Sequence, residues 1–69
     1  HRHARERATL EALAGARTLP ELREIVYGPV GDAARRYVDA ALLASLSALI
    51  HERKVMHLGT DEQGPYQRS

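Results

Sequence analysis

The residues from Tyr37 to Ile50 constrain the fold of this chain more than any others. Val38, Ala41, Leu42, Ser45, Leu46, Leu49 and Ile50 recur at the i, i+3, i+4, i+7 spacing of one helix face. Leu43 widens that face. A helix apolar over so much of its surface packs on more than one side. Leu43, Leu46 and Ile50 either reach past the domain's own core, toward another domain or subunit, or are covered by the first two helices and the hairpin.

Two shorter helices are expected before it. Residues 2–14 are rich in Ala, Arg, Glu and Leu, all good helix formers, with Leu10, Leu13 and Ala14 facing a core and Gly15 as the stop. Thr18-Leu19-Pro20-Glu21 reads as a capping box with proline in the first turn. The second helix then runs to about Tyr27, burying Leu19, Leu22, Ile25 and Val26, and is broken by Gly28, Pro29 and Gly31. Asp32 is the expected N-cap of the third helix, placed at about 32–52. His51 and Arg53 suit its negative end.

After the long helix, Val55–Leu58 and Tyr66–Arg68 read as two short strands joined by a turn cluster over 59–65. The order is helix, helix, long helix, hairpin. That is a mainly α, α+β layout: a winged helix-turn-helix of three helices and a small β-hairpin. With 69 residues it is a single domain over 1–69, and such a domain buries only about 60% of the surface its unfolded chain exposes. The chain opens on His1 and its one methionine is Met56, so it is expected to be the C-terminal part of a longer protein. It has no cysteine, no apolar run of membrane-spanning length and no signal peptide, and a reducing, cytoplasmic setting without membrane contact is expected.

Catalytic chemistry finds little footing. His1-x-His3 lacks the further ligands of a zinc spacing such as H-E-x-x-H and reads as a solvated pair. His51 and His57 read as a helix-end and a hairpin residue. Glu21 is engaged by the cap, and Asp61-Glu62 sits in a glycine-flanked loop rather than a shielded site. Ser45 and Ser47 have no nucleophile elbow, and Gly28-Pro29-Val30-Gly31 has no Lys-Ser/Thr after it. No catalytic or metal-binding residue is assigned, and no cofactor.

Nucleic-acid binding is the natural alternative for such a layout. Arg35 and Arg36 fall where a recognition helix presents its first residues, and Arg68 could touch phosphate from the hairpin, as could Lys54. Against this, the net charge is only +1 and evenly spread. Residues 1–14 and residues 33–50 each carry +1, and residues 54–69 carry none. Phosphate neutralisation supplies most of a nucleic-acid binder's affinity, and no basic face stands out. Asp39 follows one turn after Arg35, Asp61 and Glu62 occupy the hairpin tip, and no Asn, Gln or Lys occurs between 32 and 50. Nucleic acid is therefore a disfavoured partner.

Three segments carry a family resemblance: His1-Arg2-x-x-Arg5-Glu6-x-x-x-Leu10, Thr18-Leu19-x-Glu21-Leu22 with Ile25-Val26-Tyr27, and Leu42-Leu43-x-x-Leu46-x-x-Leu49 running into Lys54-Val55. Together they resemble the C-terminal winged-helix domain appended to a branch of metallo-β-lactamase-fold hydrolases. That module often has His where Ser45 stands and Gly where Arg53 stands, so Arg53 implies a different or strained exit into the hairpin. The resemblance implies a parent enzyme of thioesterase, glyoxalase II-like or ribonuclease-like type. Its metals, usually zinc, would be held by an H-x-H-x-D-H motif in the preceding domain, where they activate water. It implies an accessory, non-catalytic role for this domain, packed on the hydrolase domain of the same polypeptide and shaping the substrate entrance. A DNA-binding winged helix of a transcription regulator and a helical dimerisation module, forming a homo-oligomer, are the other two readings.

Overall fold

A computed structural model describes the backbone of residues 2–69 and the side chains from Ala4 onward. Three helices, α1 (Arg2–Ala12), α2 (Leu19–Tyr27) and α3 (Asp32–His51), are followed by strands β1 (Val55–Asp61) and β2 (Gly64–Arg68). The strands pair antiparallel. This is the winged-helix layout, three helices and a hairpin in that order. No helix among the described residues is long and apolar enough to cross a membrane.

The core forms where one stripe of α3, Leu42, Leu46 and Leu49, meets Ala12 and Leu13 from the end of α1, Leu19 and Leu22 from α2, and Val55 and Tyr66 from the hairpin. Each of these is buried, with Leu13, Leu22 and Leu49 wholly so. Leu10, Val26, Tyr27, Val38 and Leu43 pack around them. Two expected core positions, Ala14 and Ile25, and one expected outward position, Leu46, come out differently. Ala14 is exposed, because α1 stops at Ala12 and residues 13–14 form a turn. The Arg17 Nε–H donates to the Ala12 carbonyl at 3.2 Å, capping that end with a cation. Ile25 is 52% exposed, since the α2 stripe runs Leu19–Leu22–Val26 and Ile25 stands at its edge. Leu46 is 1% exposed, so it belongs to this domain's own core rather than to an outward face.

The second helix begins as its sequence requires. The Thr18 N–H donates to Glu21 Oε1 at 2.8 Å, and the Glu21 N–H turns back to Thr18 Oγ1. The third helix is capped one residue earlier than expected. Gly31 is the N-cap, its carbonyl accepting from the Ala34 and Arg35 N–H groups at 3.1 Å each, and Asp32 is the first helical residue. The Asp32 carboxylate is taken by Arg35 at 2.6 Å and still lies at the positive end of the helix.

The exit from α3 is a left-handed turn on a residue that is not glycine. Arg53 has φ 62°. Its N–H donates to the Ile50 carbonyl at 2.9 Å and the Lys54 N–H to the Leu49 carbonyl at 2.8 Å, the two bonds of a Schellman motif. The exit is therefore the one a glycine would make, held against the steric preference of arginine. Arg53→Gly is expected to stabilise the domain by about 0.5–1 kcal/mol, raising Tm by about 3–6 °C in thermal unfolding.

The capping box also sets an acid dependence. Hydrogen bonds from the Thr18 backbone and then its hydroxyl hold the Glu21 carboxyl below its ordinary value of 4.5, with Arg17 assisting. A carboxylate lowered in the folded state adds stability above its unfolded value and loses it as pH falls through the folded one. The urea midpoints of the native chain and of Glu21→Ala are thus expected to differ at pH 7 and to converge as pH drops below 4.5.

Candidate interaction surface

The hairpin is longer and its turn tighter than the sequence suggested. Gly59, Thr60 and Asp61 belong to β1, and Gly64 and Pro65 to β2, leaving Glu62 and Gln63 as the turn. Val55 pairs with Arg68, Met56 with Gln67 and His57 with Tyr66. The register then slips, so that Leu58, Gly59 and Thr60 stand against Pro65 alone before Asp61 meets Gly64. Pro65 has no N–H to give the ladder, which is where a bulge is tolerated. The bulge is closed by the His57 Nε2–H, which donates to the Asp61 carbonyl at 2.6 Å. The Asp61 carboxylate accepts the Gln63 N–H at 2.9 Å and sets the turn.

Tyr66 binds this hairpin to the helices. Its N–H and carbonyl both pair with Arg17, at 2.7 and 2.9 Å, which makes the α1–α2 connection a one-residue third strand. Its ring stacks on the His57 imidazole with centroids 4.6 Å apart, and its hydroxyl donates to the Glu62 carbonyl at 2.7 Å. Burial, then Glu62 and Asp61, push the phenol above its ordinary value. The Gln63 carbonyl accepts the Leu19 N–H at 2.8 Å and adds a second tie to α2. The pairing of Arg17 with Tyr66 had no signal in the sequence, since one residue cannot show strand periodicity. Tyr66 itself was legible only as the first residue of the return strand.

The hairpin lies along α3, its base at the helix C-terminus and its tip toward the N-terminus. Two open clefts run between them. One, of about 480 Å³, is lined by Asp32, Arg35, Arg36, Asp39, Leu43 and Glu62. The other, of about 340 Å³, has Leu43, Leu46, Ile50, His57 and Tyr66 along it, with Asp61 and Glu62 at the tip. Neither gathers a catalytic set. Among the described residues, no group of three or more His, Asp or Glu side chains converges as metal ligands. The side chains of the His1-x-His3 pair lie outside those described.

The three arginines singled out for nucleic acid are not brought together. Arg35 and Arg36 line the cleft beside Glu62 at the hairpin tip, whereas Arg68 lies opposite Val55 at its base. Arg35 is ion-paired to Asp32, and Lys54 to Glu52 at 3.1 Å. Arg36 is exposed and has no ion-pair partner among the described residues. Asp39 is held by Arg23, one guanidinium nitrogen reaching both oxygens at 2.8 and 3.0 Å, which ties α2 to α3. The first half of α3 thus presents the Asp32–Arg35 and Arg23–Asp39 pairs and an exposed Arg36 beside an acidic tip. Of the residues expected to face a neighbour, Leu43 is half-buried and Ile50 37% exposed. Tyr37, 78% exposed, is the largest apolar side chain on that helix to reach solvent. Composition alone would have placed Tyr37 inside, but it falls off the Leu42–Leu46–Leu49 stripe. Ser45 is buried beside Arg5, Ala41 and Ala44 between α1 and α3.

No protein-family model, no curated protein and no solved structure matches this chain.

Gly59 is the position on which the close approach of the two strands depends. A Cβ built there would stand 1.7 Å from the Gly64 carbonyl oxygen and 2.5 Å from its carbon, both backbone atoms that cannot swing away. Gly59→Ala is expected to cost about 1–3 kcal/mol and to strip amide-exchange protection from Met56 and Gln67 before it touches α3.

Proposed function

We propose that this chain is a non-catalytic accessory winged-helix domain of a metallo-β-lactamase-fold hydrolase. It packs on the hydrolase domain of the same polypeptide and helps shape the substrate entrance. The observation that carries this reading is the state of α3 at the recognition position. Arg35 there is paired to Asp32 and the acidic tip stands beside Arg36, while Tyr37, Ile50 and the edge of Leu43 stand available for contact. A groove reader needs the reverse, exposed cations and polar side chains over a surface free of carboxylates. The three sequence segments that resemble the hydrolase-associated module supply the identity of the neighbour.

The described side chains do not fit a zinc site. The metal of such a parent would sit in the preceding domain and would activate water there. This chain's contribution is apolar area and shape at the border of that site. The coding sequence upstream of His1 decides the matter. An H-x-H-x-D-H motif preceding this domain supports the reading, and a different preceding domain overturns it.

Arg36 is the one observation favouring DNA instead, being exposed at the first turn of α3 without an ion-pair partner among the described residues. Titration of the chain with duplex DNA at two salt concentrations is expected to show no salt-dependent binding. Binding that weakens steeply with salt, and is lost in Arg35→Ala/Arg36→Ala, would establish the regulator reading in its place.

A further inference from the structure

We infer that β1 is a self-recognition edge, through which two copies of this chain pair antiparallel about a two-fold axis near His57. The inference stands on the hairpin and is independent of the hydrolase reading. In the sheet, β2 lies between Arg17 and β1, so β1 is the outer strand. The Ser69 N–H donates to the Lys54 carbonyl at 3.0 Å, and Tyr66 spends its main-chain groups on Arg17. Lys54 and Met56 therefore face β2, and the main-chain N–H and C=O of Val55 and His57 turn away from it. Val55 is buried, so the open stretch of the edge centres on His57.

Three properties of that stretch select a second copy as the occupant. First, an unpaired edge is a template for another strand, and a short antiparallel pairing satisfies the His57 main chain of both copies. Second, Met56 and Leu58 stand on the face of β1 away from α3, 45% and 51% exposed. With His57 opposite His57 of the other copy, Met56 of each falls opposite Leu58 of the other, and four apolar side chains cover one another. Third, the strand is polar end to end in charge. Arg53 and Lys54 precede it, Asp61 and Glu62 close it, and no Asp, Glu, Lys or Arg lies between. An antiparallel partner of the same sequence sets each basic end against an acidic end, whereas a parallel one sets like on like. The bulge after His57 limits the pairing to a few residues, so the association is weak.

Sedimentation equilibrium of the chain from about 10 µM to about 1 mM is expected to show a monomer passing to a dimer. Leu58→Lys should weaken association about tenfold or more, with far-UV circular dichroism and Tm unchanged because Leu58 holds no core position. Met56→Lys should do the same and serves if Leu58→Lys fails to fold. The His57 amide should exchange more slowly at high concentration than at low. A monomer across the whole range overturns the inference. So does a dimer indifferent to both lysine substitutions, or one abolished instead by Tyr37→Ala, which would assign the contact to α3.

Discussion

Tyr66 joins two parts of the molecule that could not hold separately. A two-stranded hairpin is marginal in water unless something covers one face, and α1 and α2 alone leave the end of α3 unfinished. Tyr66 sits 3% exposed in the common core, pairs by both main-chain groups with Arg17, and stacks on His57 of the opposite strand. The His57 pair is of the non-hydrogen-bonded kind, in which side chains approach most closely, so the stack follows from the same alternation that sends the Tyr66 main chain toward Arg17. One residue thereby fixes the register of β2, the position of the α1–α2 connection and the wall of the cleft along α3.

The core that Tyr66 completes is small. Losing a single buried leucine side chain costs about 2–5 kcal/mol, against a total stability of roughly 3–10 kcal/mol for a domain of this size. That proportion explains why so many local devices are fully made. The capping box of α2 satisfies Thr18 and Glu21 reciprocally, Arg17 closes the end of α1, and two bonds of a Schellman motif close α3. It makes the left-handed Arg53 a notable concession, since the turn stands although its residue disfavours it.

What the sequence made legible is what depends on near neighbours. The α3 stripe, the Thr18–Glu21 box and the break at Gly28 are each written within a few residues, and each is where the periodicity or the cap chemistry put it. The departures are set by contacts that periodicity does not show. Ala14 lies outside the core because α1 stops at Ala12, and Leu46 lies inside it among residues of α1, α2 and the hairpin. Gly59 looked like a turn residue and is instead a strand residue pressed on the Gly64 backbone. Glycine in a turn and glycine at a close approach are indistinguishable until the opposing strand is known. The surface was less legible still. Arg35, Arg36 and Arg68 shared a charge but not a location, and only the direction of the hairpin along α3 separates them.

That direction also bears on what α3 can do. Running the hairpin back along the helix carries Asp61 and Glu62 toward the very turn where a recognition helix would meet phosphate. A duplex approaching there meets two carboxylates at the tip and a third, Asp32, already engaged with Arg35. Like charges facing one another disfavour that contact over the whole range in which the carboxylates are ionised, and salt relieves it only over separations beyond about 10 Å. A protein neighbour meets no such barrier. Its own cations can answer the tip, and its apolar side chains can cover Tyr37 and Ile50, which a nucleic-acid backbone cannot. On the function proposed above, the acidic tip turns the recognition position from a reader of phosphate into a surface fitted to protein.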